Sequence, residues 1–206
     1  MNPTELSDAG LQGLRDAEAL RLHAYPDVAS PLANATAAQP WGFKRAPEIL
    51  AALPMSTQIL SGKPWTIGYG ITRYPNGWPV LPGDECSRDE AEIWLRVTAA
   101  PYEKAVAESV AAPINQPMFD ALVNMAYNIG VHAFQTSTLV KRLNEGRYIE
   151  AQREFGRWVR AGGKVVGGLV ERRALERAWF NDGIRSAIAD QPELLAEFNA
   201  LVEESA

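Results

Sequence analysis

A short stretch of β-forming sequence stands inside a chain whose patterning is otherwise helical, and that contrast limits the fold more than any other feature. In WTIGYGITRYPNGWPV (65–80), aromatic and β-branched residues lie on either side of Asn76-Gly77, a strong short-range signal for a hairpin. From Ser87 onward the period becomes helical. Ser87 with Glu90 three residues later reads as a capping box opening a helix to about residue 100, and Pro101 marks a kink or break before YEKAVAESV. Asn115 caps the next helix, with Phe119, Leu122, Val123 and Ala126 on one face and Gly130 closing it. Further helices are expected over about 137–144, 148–160 (ending at Gly162-Gly163) and 169–181 (before Gly183). A tail stripe follows through Leu194, Leu195, Phe198, Leu201 and Val202. A small β-containing lobe within a mostly helical chain gives the fold class α+β.

Upstream, residues 7–17 read as a helix capped by Ser7, with Leu11 and Leu14 on its apolar face. Residues 28–64 are rich in Pro and Ala, and only PEILAAL there looks helical. Five prolines, with Trp41, Phe43, Ile49 and Leu50 to bury, predict an ordered elaboration of the small lobe. The expected organisation is one domain over 1–206. Its small lobe spans about 19–82, its helical lobe about 1–18 and 83–180, and a helical tail 181–206.

Composition excludes several classes. The net charge of −5 argues against a protein that binds nucleic acid by neutralising phosphates. The excess is uneven: residues 141–180 carry ten basic and five acidic side chains, either solvated helix faces or a basic wall toward an anionic polymer. Cys86 is the only cysteine, which fits a reducing compartment of synthesis. The N-terminal MNPTELSDAGLQGLRD lacks a basic segment followed by an apolar one, so neither a signal peptide nor a membrane anchor is expected. His23, His132 and Cys86 have no ligand-like spacing, so no metal site is expected.

The chemistry concentrates in DAEALRLHAYPD. Glu18 stands seven residues after Leu11 and four after Leu14, on the same face if the helix reaches it. A carboxyl at the edge of a core keeps its proton nearer to neutrality, which a general acid needs, whereas a loop carboxylate such as Asp27 stays ionised. Two carboxyls in opposite protonation states suit glycosidic acid–base catalysis. Spacing alone equally allows a helix-end surface charge and a turn former. Cys86 with His132 could form a peptidase dyad, though a buried or loop thiol beside a capping box is the simpler reading. His23 reads as a partly exposed helix residue, and Trp158 and Trp179 as core. Trp65 fits either the core or an aromatic cleft edge, where Trp41 and Trp78 could also serve.

Glu18, LRLHAYPD and then WTIGYGIT resemble the phage-type lysozymes of glycoside hydrolase family 24. That family's pattern is a Glu, an Asp nine residues on, and a Thr opening a T-x-G-x-G strand, here Glu18, Asp27 and Thr66. The resemblance continues, in order, through INQPMFDALVNMAYNIG, FQTSTLVKRLNEG and EFGRWVRAGGKVVGGLVERRALERAWF, covering about 10–27 and 65–180. It departs at Ala19, where the family usually has Gly, and in the long separation of Asp27 from Thr66, which makes 28–64 an insertion. The two ends of that insertion must approach if Asp27 and Thr66 share a site.

The resemblance implies a lysozyme-like fold with a cleft between the lobes, and hydrolysis of the β-1,4 bond from N-acetylmuramic acid to N-acetylglucosamine in peptidoglycan. Glu18 would protonate the leaving oxygen, while Asp27 as base and the Thr66 hydroxyl would direct a water to the opposite face, with inversion. Tyr127, Asn128, Ser137 and Trp65 would bind the glycan, although helix packing and capping account for the first three almost as well. Cofactors and metals are not needed. The expected partner is the glycan strand, with no nucleic acid and no stable membrane association, for a monomer released from the host cytoplasm to the cell wall through a separate holin-like pore. A lytic transglycosylase, a chitinase and a non-catalytic glycan-binding virion module are the competing readings.

Overall fold

The computed structural model describes residues 1–26 and 63–203, in two compact units: Glu18–Thr98, and Met1–Ala17 with Ala99–Ala206. Asp27, Trp41 and the helix expected at PEILAAL lie outside the described residues, as does nearly all of the insertion 28–64.

In the unit Glu18–Thr98, β1 (Arg21–Pro26) and β2 (Trp65–Gly68) pair antiparallel, with Tyr25 opposite Thr66 and Pro26 opposite Trp65. His23 is therefore a strand residue, not the helical one expected: the first helix stops at Ala17, and RLHAYP (21–26) finds pairing partners instead. A bridge to Glu85 adds to those partners, and the side chain stays exposed. The Asn76-Gly77 turn forms, closed by the Arg73–Pro79 bridge and by the Trp78 amide donating to Asn76 Oδ1 at 3.0 Å. Trp65, Ile67, Ile71 and Val80 make the small core, against which Ala24, Tyr74, Cys86 and Trp94 pack.

Helix α1 (Asp8–Ala17) and α2 (Arg88–Ser109) flank this region in sequence. The capping box opens α2 as expected: the Ser87 amide donates to Glu90 Oε2 at 2.8 Å and the Glu90 amide to Ser87 Oγ at 3.2 Å. Pro101 does not break the helix. It is exposed, and the carbonyl it deprives of a bond belongs to exposed Val97, where solvent replaces the lost donor.

The other unit is helical. After α3 (Gln116–Ile129) come α4 (Val131–Gln135), α5 (Thr138–Asn144) and α6 (Tyr148–Glu154), followed by a 3-10 turn at Phe155–Arg157. Every residue of α3 from Met118 to Ala126 is buried, as suits a helix packed on several sides by α1, α7 and α4. Gly162-Gly163 is not a helix terminus. Both residues take positive φ in the turn of a hairpin between β3 (Arg160–Ala161) and β4 (Lys164–Val165), so the preceding helix ends earlier than the periodicity predicts.

Helix α7 (Gly167–Ala187) likewise runs through Gly183 rather than stopping before it. A side chain there would meet Met118 Cγ at 2.6 Å, so this glycine lets α7 approach α3 closely. The tail forms α8 (Pro192–Glu203), with Phe198 buried. No helix among the described residues is long and apolar enough to cross a membrane.

Candidate active site

Glu18 directly follows helix α1, which ends at Ala17 rather than reaching it. Ser7 caps α1, accepting the Gly10 amide at 3.1 Å, and Ser7 is itself held by Asp120 of α3 through its amide (3.0 Å) and its hydroxyl. Asn124, one turn along α3, donates to the Gly10 carbonyl at 3.0 Å. With Leu11 and Leu14 fully packed, the helix axis is fixed and the chain leaves it at Ala17. Glu18 is the first residue beyond, half-buried. Within its own unit it lies against the turn after β2: a Cβ on Gly70 would stand 3.2 Å from Glu18 Oε2, so only glycine leaves the carboxylate that space.

Thr66 is 3% exposed, and its hydroxyl has no hydrogen-bond partner among the described residues. A buried hydroxyl costs free energy until it is paired, so Thr66 offers its oxygen to water, a ligand group or a residue outside those described. Asp27 lies outside the described residues, but Pro26, directly before it, pairs with Trp65, directly before Thr66. The chain that leaves the sheet at Pro26 thus returns to it at Trp65. Trp65 itself is a core residue, 3% exposed, and its indole nitrogen also has no partner among the described residues.

The other sequence-predicted positions fall in the helical unit. Tyr127 packs its ring 5.0 Å from that of Tyr102, and Asn128, exposed at the end of α3, accepts from Arg173 at 3.1 Å. Ser137 is buried and caps α5, accepting the Val140 amide at 3.2 Å. Trp158 and Trp179 are half-buried, and Trp179 lines a cavity of about 530 Å³ with Gly13, Asn124, Arg172 and Glu176. Cys86 packs on the small core, where burial first and then the Glu90 charge push its thiol upward, away from the thiolate a peptidase needs. Among the described residues no cluster of His, Cys, Asp and Glu could hold a metal ion.

Sequence reasoning missed one group. Within the basic stretch 141–180, Arg173 and Glu176 are buried, at 2% exposure each. Arg173 Nη2 donates to Glu176 Oε1 at 2.7 Å and Arg172 Nε to the same oxygen at 3.2 Å. Burial pushes the Glu176 carboxyl up from 4.5 to about 7, against the pull of Arg173 and Arg172. The available signal was the spacing: an acid three and four residues after two arginines pairs with both on one helix face.

The phage lysozyme family matches over residues 53–176, a stretch that includes Thr66, Tyr127, Asn128 and Ser137. An endolysin of Bacillus phage PZA is 45% identical over 121 residues, 59% of this chain and 45% of its own length. The chain thus spans about half the length of that relative. Among solved structures, the endolysin from Escherichia coli O157:H7 phage FAHEc1 superposes with a TM-score of 0.66 at 30% identity, over 85% of this chain and 92% of that one. The muramidase domain of SpmX from Asticaccaulis excentricus gives 0.62 at 28% identity, over 85% and 97%. An α+β chain of lysozyme-like fold, matched over more than half its length and carrying Glu18 and Thr66 in one unit, belongs to the phage lysozyme family.

Proposed function

We propose that the chain is a peptidoglycan hydrolase that cleaves the β-1,4 bond from N-acetylmuramic acid to N-acetylglucosamine, as an endolysin does in host lysis. The observation that carries this reading is the pairing of Pro26 with Trp65 and of Tyr25 with Thr66. It supports an approach of Asp27 to Thr66 despite the 36 residues of 27–62, and Glu18 faces Gly70, four residues beyond Thr66 in the same unit. Glu18 donates a proton to the leaving oxygen. Asp27 takes a proton from water on the opposite face, and the Thr66 hydroxyl, which has no other partner among the described residues, orients that water. Tyr127, Asn128 and Ser137 bind the glycan, as the family resemblance implies, and Trp65 supports the strand that presents Thr66. The likeness to relatives named endolysin and muramidase supports the same substrate.

The direct test adds the protein to permeabilised bacteria and follows turbidity together with the released sugars. Loss of turbidity with free reducing ends supports hydrolysis. Anhydro-sugar products would identify a transglycosylase, and intact walls with bound protein a glycan-binding module. Asp27→Asn is expected to impair turnover more than Thr66→Ala, since it removes the charged base rather than one water contact; full activity in Asp27→Asn would take Asp27 out of the site. The same reading has the chain reach the wall through a separate membrane pore. Expression alone then leaves cells intact until the membrane is breached, and spontaneous lysis would overturn that step.

A further inference from the structure

Helix α7 lays two arginines against the C-terminal end of α3. Arg172 Nη2 donates to the Asn124 carbonyl at 3.3 Å, and Arg173 Nη2 reaches Asn128 Oδ1, one turn further on, at 3.1 Å. Both arginines are gathered by one oxygen of Glu176, so neither guanidinium is free to swing away. Arg173 is 2% exposed, and its Nε and Nη1 have no partners among the described residues. A guanidinium buried with two unpaired nitrogens is costly, and an apolar side chain of similar volume would pack α7 on α3 at lower cost. What the guanidinium adds is a fixed orientation for Asn128.

A guanidinium only donates hydrogen bonds, so the Asn128 atom facing it is the carboxamide oxygen. The amide nitrogen is then directed away from Arg173, on an exposed residue, with two N–H donors. Such a donor pair suits an amide carbonyl, and peptidoglycan carries that group in its N-acetyl substituents and in its stem peptides. We infer that Arg173, braced by Glu176, is a positioning residue that turns the Asn128 amide outward to bind an amide carbonyl of the substrate. The inference rests on the peptidoglycan reading above.

The test measures binding of soluble peptidoglycan fragments by calorimetry alongside kcat and KM for their cleavage. Asn128→Asp keeps an oxygen toward Arg173 but removes both outward donors. It is expected to weaken binding and raise KM by about fivefold to tenfold, the worth of one or two hydrogen bonds, with kcat little changed and Tm not lowered. Arg173→Lys keeps the charge but not the forked reach. It is expected to weaken binding by a similar factor in the wild type and by nothing further in an Asn128→Ala background. Wild-type affinity in Asn128→Asp, or an equal loss from Arg173→Lys in both backgrounds, overturns the inference. Should Arg173→Lys fail to fold, the Asn128→Asp result decides.

A protein that binds no fragment overturns the inference as well. A protein that binds them with the expected Asn128→Asp loss but cleaves none leaves the positioning role standing and removes the hydrolytic one. Glycan strands with and without stem peptides then tell which carbonyl is bound.

Discussion

The two units are held together by different means. In the helical unit, α3 is buried continuously from Met118 to Ala126, and Phe119, Phe134, Phe155 and Phe180 are wholly enclosed. Among the described residues of the unit Glu18–Thr98, Trp65, Ile67, Ile71 and Val80 form one small buried cluster, β1 is exposed over its first half, and Trp78 stands 71% exposed. Each fully buried large apolar side chain contributes roughly 1.5–3 kcal/mol, so among the described residues packing supplies more stability to the first unit than to the second. Yet the proposed acid, base and water-orienting groups all belong to the second stretch of sequence. Among the described residues of that unit, backbone pairing and the positive-φ glycines Gly68 and Gly70 shape the turn and strands that carry the functional groups.

That division predicts that activity and stability separate by mutation. The largest effect is expected from Glu18→Gln, which removes the proton donor and should lower turnover by about 10²–10⁴-fold while the circular dichroism spectrum is unchanged. Near-normal turnover would break the assignment. In the helical unit, Phe119→Ala opens a cavity at a fully buried site and should destabilise by about 3–5 kcal/mol, read as a lower Tm or denaturant midpoint. A loss under 1 kcal/mol would mean that α3 is not the structural centre.

Glu176 sharpens the comparison by pH. The unfolded chain loses this proton near 4.5 and the folded one near 7, so between those values the folded state binds more protons. Stability contributed by the protonated form is full below 4.5 and is lost as pH rises through 7, a change on the order of 1–3 kcal/mol. The Tm of Glu176→Gln minus that of the wild type should therefore grow from pH 4.5 to 7.5, and a constant difference would remove the effect. The smallest change is expected at the other unit's surface. His23→Ala breaks an exposed pair with Glu85 at 3.2 Å and should alter stability by less than about 0.5 kcal/mol in thermal unfolding.

Much of this was readable from local signals. The capping box at Ser87, the caps Ser7, Asn115 and Ser137, the Asn76-Gly77 turn and the apolar face of α3 depend on residues a few positions apart, where the physics is local. The errors arose where distant packing decided the outcome. Gly183 reads as a helix stop in isolation, but Met118 and Asn115 across the interface make it a close-approach residue inside α7. Gly162-Gly163 reads as a cap, but Arg160 and Val165 pair across it. At the site, the T-x-G-x-G run placed Thr66 on a strand, whereas the burial of Arg173 and Glu176 was hidden because charged residues in a basic stretch look solvated until α3 is packed on them.

The Pro26–Trp65 pairing has a consequence for how this chain tolerates change. The residues that close the neck of the segment 27–62 are outside it, in a sheet whose partners are already fixed. For a flexible connection between them, a change in length alters closure entropy only logarithmically, about 0.6 kcal/mol for each doubling. A flexible peptide spliced after Asp27, with Asp27 and Thr66 kept, would then start and end beside the Pro26–Trp65 pair, a port for grafting that leaves the sheet's own pairing in place.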